Sequence, residues 1–366
     1  MSLILVQDCL NGRRIGLTSA AEGPLPPLHS QDRVEVKSLQ ITGILRWVGL
    51  AAVVVTMCGA VQAEWKFSGY TQARYNFWDG DLDSNDAFDL RRVRIKAEGP
   101  VSEETTIKLQ FDLGKLDDDG GDVELKDALI TRKLNAEWTG TLGYTSVPFG
   151  YEVPTSSSRR LAFERSEAAN KLFPGERDTG LYFHYTPEKK GRPMATFGYG
   201  NGLKKWRDAD SKGNEDTDSS AFIARVQWPV GKSGTAGASY MMADRKREIE
   251  GVETDFGSED VLGLHVRYDL PKSWAFQAEY YDGELLDVDV NGWYGMAEYA
   301  LPKAPMTLFY RYDTFDQQKA HDFARHTVGA AYELSKSERV TLQAETYDDY
   351  AGESFTNFGL QYQVKY

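Results

Sequence analysis

The chain has 366 residues, a formal net charge of −13, 12% aromatic residues and a mean hydropathy of −0.50. After residue 63, no apolar run approaches the roughly 18 residues that a membrane helix needs, which excludes a helical membrane protein. A transmembrane β-barrel is still allowed, because its strands need only about ten residues of alternating polarity.

The first 63 residues are typical of an export signal. Lys37 and Arg46 precede an apolar run at residues 47–60, and Val61 and Ala63 occupy the −3 and −1 positions of a cleavage site. The alternative is a buried core helix. We expect an unassigned leader at residues 1–35, a signal peptide at 36–63 and a barrel at 64–366. Cleavage would remove both cysteines and leave no disulfide framework.

The mature chain consists mainly of short segments in which apolar and polar side chains alternate. In the last segment, Phe358, Leu360 and Tyr362 occupy every second position, and the chain ends on an aromatic residue. A period of two places apolar side chains on one face of a strand and polar ones on the other. We predict sixteen strands, an even number as in bacterial single-chain barrels. They span residues 64–78, 87–99, 104–115, 122–133, 136–146, 179–186, 192–202, 218–229, 232–243, 259–270, 272–282, 289–300, 304–313, 322–333, 338–347 and 356–366.

The connections between these strands are alternately short and long. The long ones are mostly acidic, and either bind divalent cations at a lipopolysaccharide surface or are plain solvated loops. Short turns at one rim and long loops at the other are typical of outer-membrane barrels. We therefore predict an all-β fold: a 16-stranded antiparallel transmembrane β-barrel around an aqueous channel. The long connections are expected at residues 79–86, 116–121, 203–217, 244–258, 283–288, 314–321 and 348–355.

Residues 147–178 form the only long interval of the mature chain that predicts neither a strand nor a tight turn. A connection of this length in a compact domain usually has a function, such as a lid or a binding loop. We predict that it folds into the barrel mouth and narrows the channel. Its candidate constriction residues are Arg159, Arg160, Glu164, Arg165 and Arg177.

Basic residues lie on the polar face of several predicted strands. In residues 90–96, the alternation turns Val93 and Ile95 towards lipid and the basic residues between them towards the lumen. Arginine and lysine rings attract carboxylates and phosphates, and they favour anions in pores. Alternatively, these cations only line a polar wall and pair with lumenal Glu98, Asp112, Glu279 and Glu345. The candidate pore-lining, anion-binding residues are Arg92, Arg94, Lys96, Arg74, Lys108 and Arg311, and Arg225 and Arg267 share the same phase.

Enzyme motifs are incomplete. Gly231-Lys232-Ser233 lacks the glycine that a phosphate loop needs at position 226, which is Val226. The five histidines show no metal-ligand spacing. We expect no catalytic residues, no cofactor, no metal and no nucleic-acid partner.

Two stretches of the chain carry a family resemblance. The first is Leu90-Arg91-Arg92-Val93-Arg94, and the second contains Pro148-Phe149-Gly150, Glu152, Thr155-Ser156-Ser157, Phe163-Glu164-Arg165-Ser166, Phe173-Pro174-Gly175, Arg177 and Gly180. They resemble the phosphate-selective porin O and P family. The resemblance implies a sixteen-stranded, usually trimeric channel whose inward-folded loop forms the constriction, with an arginine ladder that guides anions. It makes Arg92, Arg94, Arg159, Arg160 and Arg165 the expected lumenal or constriction residues.

We therefore expect a passive outer-membrane diffusion channel of a Gram-negative bacterium. It should favour small anions such as phosphate, contact outer-membrane lipid and lipopolysaccharide, and form a homotrimer. One alternative is a general or carbohydrate-type porin, a second is a hydrolase on a barrel with a Ser–His–acid group near the lipid face, and a third is a soluble exported β-sandwich that binds glycans. The carbohydrate alternative depends on aromatic residues in the polar phase that could form stacking tracks: Tyr70, Trp78, Tyr281, Tyr294 and Tyr347.

Overall fold

The computed structural model describes most of the mature chain. The leader and the signal peptide predicted at residues 1–63 lie outside the described residues, as do the predicted loop at 116–121 and most of those at 79–86 and 203–217. Among the described residues, no helix has the length and apolarity required to cross a membrane. The described ranges are residues 65–79, 87–114, 123–203, 220–249, 252–271, 273–319 and 321–366.

Sixteen antiparallel strands form a closed barrel. Each strand pairs with its neighbours in the sequence, and the first pairs with the last from Tyr70↔Lys365 to Asp79↔Thr356. The predicted fold class is therefore confirmed. The strands are β1 (Lys66–Asp79), β2 (Ala87–Pro100), β3 (Thr105–Asp112), β4 (Glu124–Lys133), β5 (Trp138–Ser146), β6 (Arg177–Tyr185), β7 (Met194–Gly200), β8 (Ser220–Val230), β9 (Gly234–Ile249), β10 (Val252–Asp269), β11 (Trp274–Leu285), β12 (Val288–Ala300), β13 (Met306–Asp316), β14 (Phe323–Glu333), β15 (Glu338–Asp348) and β16 (Ser354–Lys365).

The alternation of the sequence places apolar side chains outside the barrel and polar ones inside. In β16, Phe358 and Leu360 are 48% and 43% exposed, whereas the inward Gln361 and Gln363 are 3% and 1% exposed. On β2, the same pattern turns Ile95 outward, whereas Arg92 and Arg94 are buried and Lys96 is half-buried. A continuous outward band of this kind matches the hydrocarbon layer of a membrane.

Two of the predicted long connections are wrong. Residues 244–258 are mostly strand: β9 and β10 remain paired from Asp244↔Ser258 to Ile249↔Val252. Residues 283–288 contain only a two-residue turn, in which Leu286 and Asp287 both have positive φ values of 54° and 61°. Strand ends beyond the hydrocarbon layer contact water on their outer face, so they lose the alternation that a sequence-based prediction needs.

The long connection between β5 and β6 contains the helix of the described chain, α1 (Glu167–Leu172). The predicted loop also ends earlier than residue 178, because Arg177 is the first residue of β6. We call residues 147–176 the inner loop.

Candidate functional site

The inner loop lies inside the barrel. Its backbone bonds to inward-facing side chains on distant strands: Gly150 N donates to Ser239 Oγ on β9 (3.0 Å), and Phe163 N donates to Gln343 Oε1 on β15 (3.0 Å). Gln363 Nε2 on β16 donates to the carbonyl of Ser158 (3.2 Å). Because β9 and β16 are nearly opposite in the closed sheet, the loop crosses the lumen.

Apolar packing holds the loop against one side of the wall. Most of its buried apolar side chains form one cluster with inward residues of β8 to β14. Two strand glycines make room for its rings, because a Cβ on Gly263 would lie 2.5 Å from the Phe149 ring, and one on Gly359 would lie 2.4 Å from the Phe163 ring. The loop residues of the cluster are Val147, Phe149, Val153, Ala168, Ala169, Leu172 and Phe173.

Two buried carboxylates fix the backbone of the loop. Glu279 on β11 accepts hydrogen bonds from the amides of Tyr151 and Glu152 and from the Tyr281 hydroxyl. Glu152 accepts from the amide (2.9 Å) and hydroxyl (2.8 Å) of Ser166, the residue that caps the start of α1. These bonds satisfy backbone groups that would otherwise be buried without partners.

Glu164 is the centre of an arginine cluster. Its carboxylate lies 3.1 Å from Arg74, 3.0 Å from Arg91, 2.8 Å from Arg92 and 3.9 Å from Arg160. Burial alone would raise its pKa, but these four guanidinium groups hold the pKa well below its usual range. The loop is therefore tied to β1 and β2 by a permanently charged clamp.

Most of the other predicted cations are also paired. Arg94 contacts Asp112 (2.8 Å) and Lys96 contacts Glu98 (3.2 Å), as the polar-wall alternative proposed. The remaining predicted partners act differently, because Glu279 binds backbone amides and Glu345 lies 4.0 Å from Arg325. Further pairs are Lys108–Asp127 (2.6 Å), Arg311–Asp313 (3.3 Å), Arg311–Glu152 (3.4 Å), Arg165–Glu176 (3.1 Å) and Arg177–Asp127 (3.3 Å).

Two cavities lie on either side of the loop. The larger cavity has a volume of about 1190 Å³. It is lined by Asp112 and Glu124, which lie at strand ends joined by a long connection, and it extends to Arg225 on β8. The smaller, about 570 Å³, is lined by Gln277 and Thr307, near the tight turns. The larger cavity has ten Arg and Lys residues against five Asp and Glu. The residues that line both cavities are Pro154, Thr155, Arg159, Arg160 and Arg225.

Three cations lie where the two cavities meet. Within the part of the chain that the structure describes, Arg159 and Arg225 form no ion pair, and Arg159 is exposed to the lumen. Arg160 is buried, and its Nε and Nη1 have no hydrogen-bond partner among the described residues; burial, followed by repulsion from Arg165 and Arg92, lowers its pKa. Sequence reasoning singled out Arg159 and Arg160 but only placed Arg225 on a polar strand face.

The aromatic residues of the proposed stacking tracks are mostly covered. Tyr281 and Tyr294 point inward but are only 1% and 0% exposed, and the buried hydroxyl of Tyr70 bonds to Ser157 of the loop (2.6 Å). Tyr347 packs against the apolar cluster, and the side chain of Trp78 lies outside the described ones. We find no open aromatic track along these described residues.

Chemistry-bearing groups beyond the cations are few in the described residues. His184, His265 and His326 lie within hydrogen-bond distance of Thr196, Gln227 and Tyr310, respectively, and none of the three is hydrogen-bonded to a serine of the described chain. No group of three or more His, Cys, Asp or Glu in this part of the chain is arranged to hold a metal ion.

Comparisons with known proteins agree with this geometry. A family model described as phosphate-selective porin O and P matches residues 67–344. Comparison with curated protein sequences gave no match. Three similar solved structures share the fold at low identity. OmpT of Vibrio cholerae in a trimer form is 12% identical, with 83% of this chain and 99% of that chain covered and a TM-score of 0.61. The anion-selective porin of Comamonas acidovorans is 16% identical, with 83% of this chain and 100% of that chain covered and a TM-score of 0.60. The outer-membrane channel DcaP of Acinetobacter baumannii is 13% identical, with 83% of this chain and 97% of that chain covered and a TM-score of 0.60.

Proposed function

The chain belongs to the phosphate-selective porin O and P family, and we propose that this outer-membrane porin is a passive diffusion channel that favours small anions such as phosphate. The observation that carries the anion preference is the position of Arg159 and Arg225. Both line the junction of the two cavities, and neither forms an ion pair among the described residues. A solute that passes from one cavity to the other therefore meets two guanidinium groups that have no ion-pair partner among the described residues.

The pairing of the other lumenal cations explains why these two matter most. A paired guanidinium such as that of Arg94 has its field largely cancelled by Asp112 at 2.8 Å. An unpaired one attracts an anion through charge-assisted hydrogen bonds and repels a cation. In this proposal the arginines of β2 hold the loop, while the junction arginines select the solute, and no catalysis takes place.

Neutralisation of the junction tests this proposal. In planar bilayers with a potassium chloride gradient, the double variant Arg159→Gln and Arg225→Gln should lower the anion-over-cation permeability ratio by at least about fivefold, since each unit charge at contact distance in water contributes about 1 kcal/mol. The matched control is Lys190→Gln with Arg192→Gln, which removes two positive charges from the exposed turn between β6 and β7. An unchanged reversal potential in the double variant would contradict the proposal.

We also propose that the channel is a homotrimer in lipid and lipopolysaccharide. A solved porin of similar fold in a trimer form supports this assembly. Light scattering of detergent-solubilised protein, corrected for bound detergent, should give three times the mass of the mature chain. A monomer mass for protein that still shows the β-rich circular dichroism spectrum of a folded barrel would contradict the assembly.

A further inference from the structure

The smaller cavity combines its cations with an apolar surface. Four side chains form this surface, which we call the apolar shelf: Tyr151, Pro154, Leu161 and Met296. Tyr151 and Leu161 are partly exposed to the lumen. Leu161 and Met296 are backed by buried Ala162, Tyr294 and Phe309, with which they form one apolar cluster. The shelf therefore has a packed support, and a solute would not need to order it.

The shelf lies beside the junction cations. Arg159 and Arg225 line the same cavity as Leu161 and Met296. Arg267, which also lines it, is neutralised by two contacts to Glu298 of 2.8 and 3.0 Å and by Asp269 at 3.1 Å. Arg339, which lines the cavity as well, lies 4.0 Å from Glu333. The unpaired positive charge next to the shelf therefore comes from the junction side.

Tyr151 adds a hydrogen-bond donor at this place. Its hydroxyl has no hydrogen-bond partner among the described residues, and burial is the main cause that raises the pKa of Tyr151, so the hydroxyl keeps its proton at neutral pH. The guanidinium of Arg267 lies 5.9 Å from the Tyr151 ring centroid and holds the ring at the cavity wall. The ring presents apolar carbon and its tip presents an O–H group.

A small hydrated anion would use only half of this site. Phosphate can bind the guanidinium groups, but it has no apolar surface to place on Leu161 and Met296. We propose that the preferred cargo of this channel is an organic carboxylate with a planar apolar body, such as an aromatic carboxylate. Its carboxylate binds Arg159 and Arg225 at the junction, and its ring lies on the apolar shelf. This inference rests on the proposed anion preference and specifies the class of anion.

The dimensions of the cavity fit this class of solute. A volume of about 570 Å³ is within the range of sites that bind small organic molecules. Partial burial of one ring face removes roughly 50 Å² of apolar surface from water, which at about 25 cal/mol per Å² predicts about tenfold stronger occupancy for benzoate than for acetate. That gain is small enough for the solute to leave the channel again, as conduction requires.

Competition with chloride current measures this occupancy. Sodium benzoate, sodium acetate, sodium phosphate and benzyl alcohol are added separately to single channels in potassium chloride, and the half-blocking concentration of each is recorded. We expect benzoate to block at about tenfold lower concentration than acetate or phosphate, and benzyl alcohol to block weakly because it has no charge. Equal values for benzoate and acetate would overturn the inference.

Variants of the shelf separate this inference from the proposed anion preference. Leu161→Ser and Met296→Gln each remove apolar surface without a change in charge, so the benzoate-to-acetate difference should shrink towards one while the reversal potential in potassium chloride stays the same. Gln110→Ala, in the larger cavity, is the control and should change neither value. A difference that persists in both shelf variants would overturn the shelf. Wild-type protein without anion preference in potassium chloride would instead overturn the proposed function.

Discussion

Glu164 shows how one carboxylate can organise several cations without cancelling the anion preference of the whole lumen. Its four arginine partners come from β1, β2 and the inner loop, so the carboxylate compensates charges that would otherwise repel one another. Arg74 also lies over the Phe163 ring, with 4.4 Å between guanidinium carbon and centroid. The clamp and the aromatic anchor therefore fix the same segment of the loop.

Replacement of this carboxylate should loosen the loop. In Glu164→Gln, four guanidinium groups lose their counter-charge, and we expect a loss of about 2 kcal/mol in the free energy of unfolding, less than for a fully buried pair because the side chain is 28% exposed. Chemical denaturation and single-channel current noise measure the two effects. The control Glu98→Gln removes the same charge from a pair whose carboxylate is 45% exposed, and should cost less than about 1 kcal/mol. Equal losses in both variants would contradict the clamp.

At the residue scale, the sequence predicted which side chains face the lumen better than it predicted their roles. A period of two is enough to place Arg92 and Arg94 inside the barrel. It left open whether carboxylates neutralise them. The polar-wall alternative named Asp112, which pairs with Arg94, but the pair between Arg92 and Glu164 was not predicted, because it joins residues distant in the chain. The packing of the Phe149 and Phe163 rings against Gly263 and Gly359 was not predicted, because these contacts also join residues distant in the chain. The alternation does place both glycines on the inward face of their strands.

The inner loop is the element on which the channel depends, and three kinds of interaction hold it. Its apolar cluster attaches it to β8–β14, hydrogen bonds that its amides donate to Glu279 fix its first turn, and the clamp at Glu164 joins it to β1 and β2. A second charged contact holds the end of the loop, where Glu176 pairs with Arg165 and Arg177. Burial would raise the pKa of Glu176, but these two guanidinium groups lower it to about 2. Glu164 and Glu176 are thus ionised across the neutral and mildly acidic range.

The loop should therefore stay in place under mild acid. A carboxyl whose pKa is lowered on folding contributes stability above its ordinary pKa of 4.5, and loses this contribution as pH falls towards its folded value. We expect single-channel conductance and selectivity to stay constant from pH 7 to pH 5, and closures or noise to appear only below about pH 4. Conductance recordings at pH 7, 5 and 3 test this. A transition centred between pH 5 and 7 would contradict anchoring by these carboxylates.

The number and order of the strands could be predicted from the sequence, but the points at which the strands end at the barrel rim could not. Inside the hydrocarbon layer each strand must alternate, since one face meets lipid and the other meets water. Beyond it this constraint disappears, so the alternation predicts a loop at residues 244–258, where β9 and β10 in fact remain paired. The helix α1 was missed because its six residues are stabilised by tertiary packing and by the Ser166–Glu152 contacts, and not by helical periodicity.

At the scale of the whole molecule, the net charge of the chain is negative, whereas the charged residues that line the larger cavity are mainly positive. The chain carries −13, yet the larger cavity has twice as many basic as acidic residues. A narrow water-filled passage between low-dielectric walls concentrates the field of its lining charges, so the local balance outweighs the net charge for a solute inside. An acidic protein can therefore have a lumen that favours anions, which composition alone would not suggest.

This separation predicts how selectivity depends on salt. The Debye length falls from about 10 Å at 0.1 M salt to about 3 Å at 1 M, so unpaired charges that project into the lumen become screened while close ion pairs are hardly affected. We expect the anion-over-cation permeability ratio, measured from reversal potentials in potassium chloride gradients, to fall severalfold over this range. In the Arg159→Gln and Arg225→Gln double variant, most of the salt dependence should disappear, because only compensated pairs remain near the junction. A ratio that stays constant in wild-type protein would mean that size exclusion, and not the field of the junction arginines, decides which ions pass.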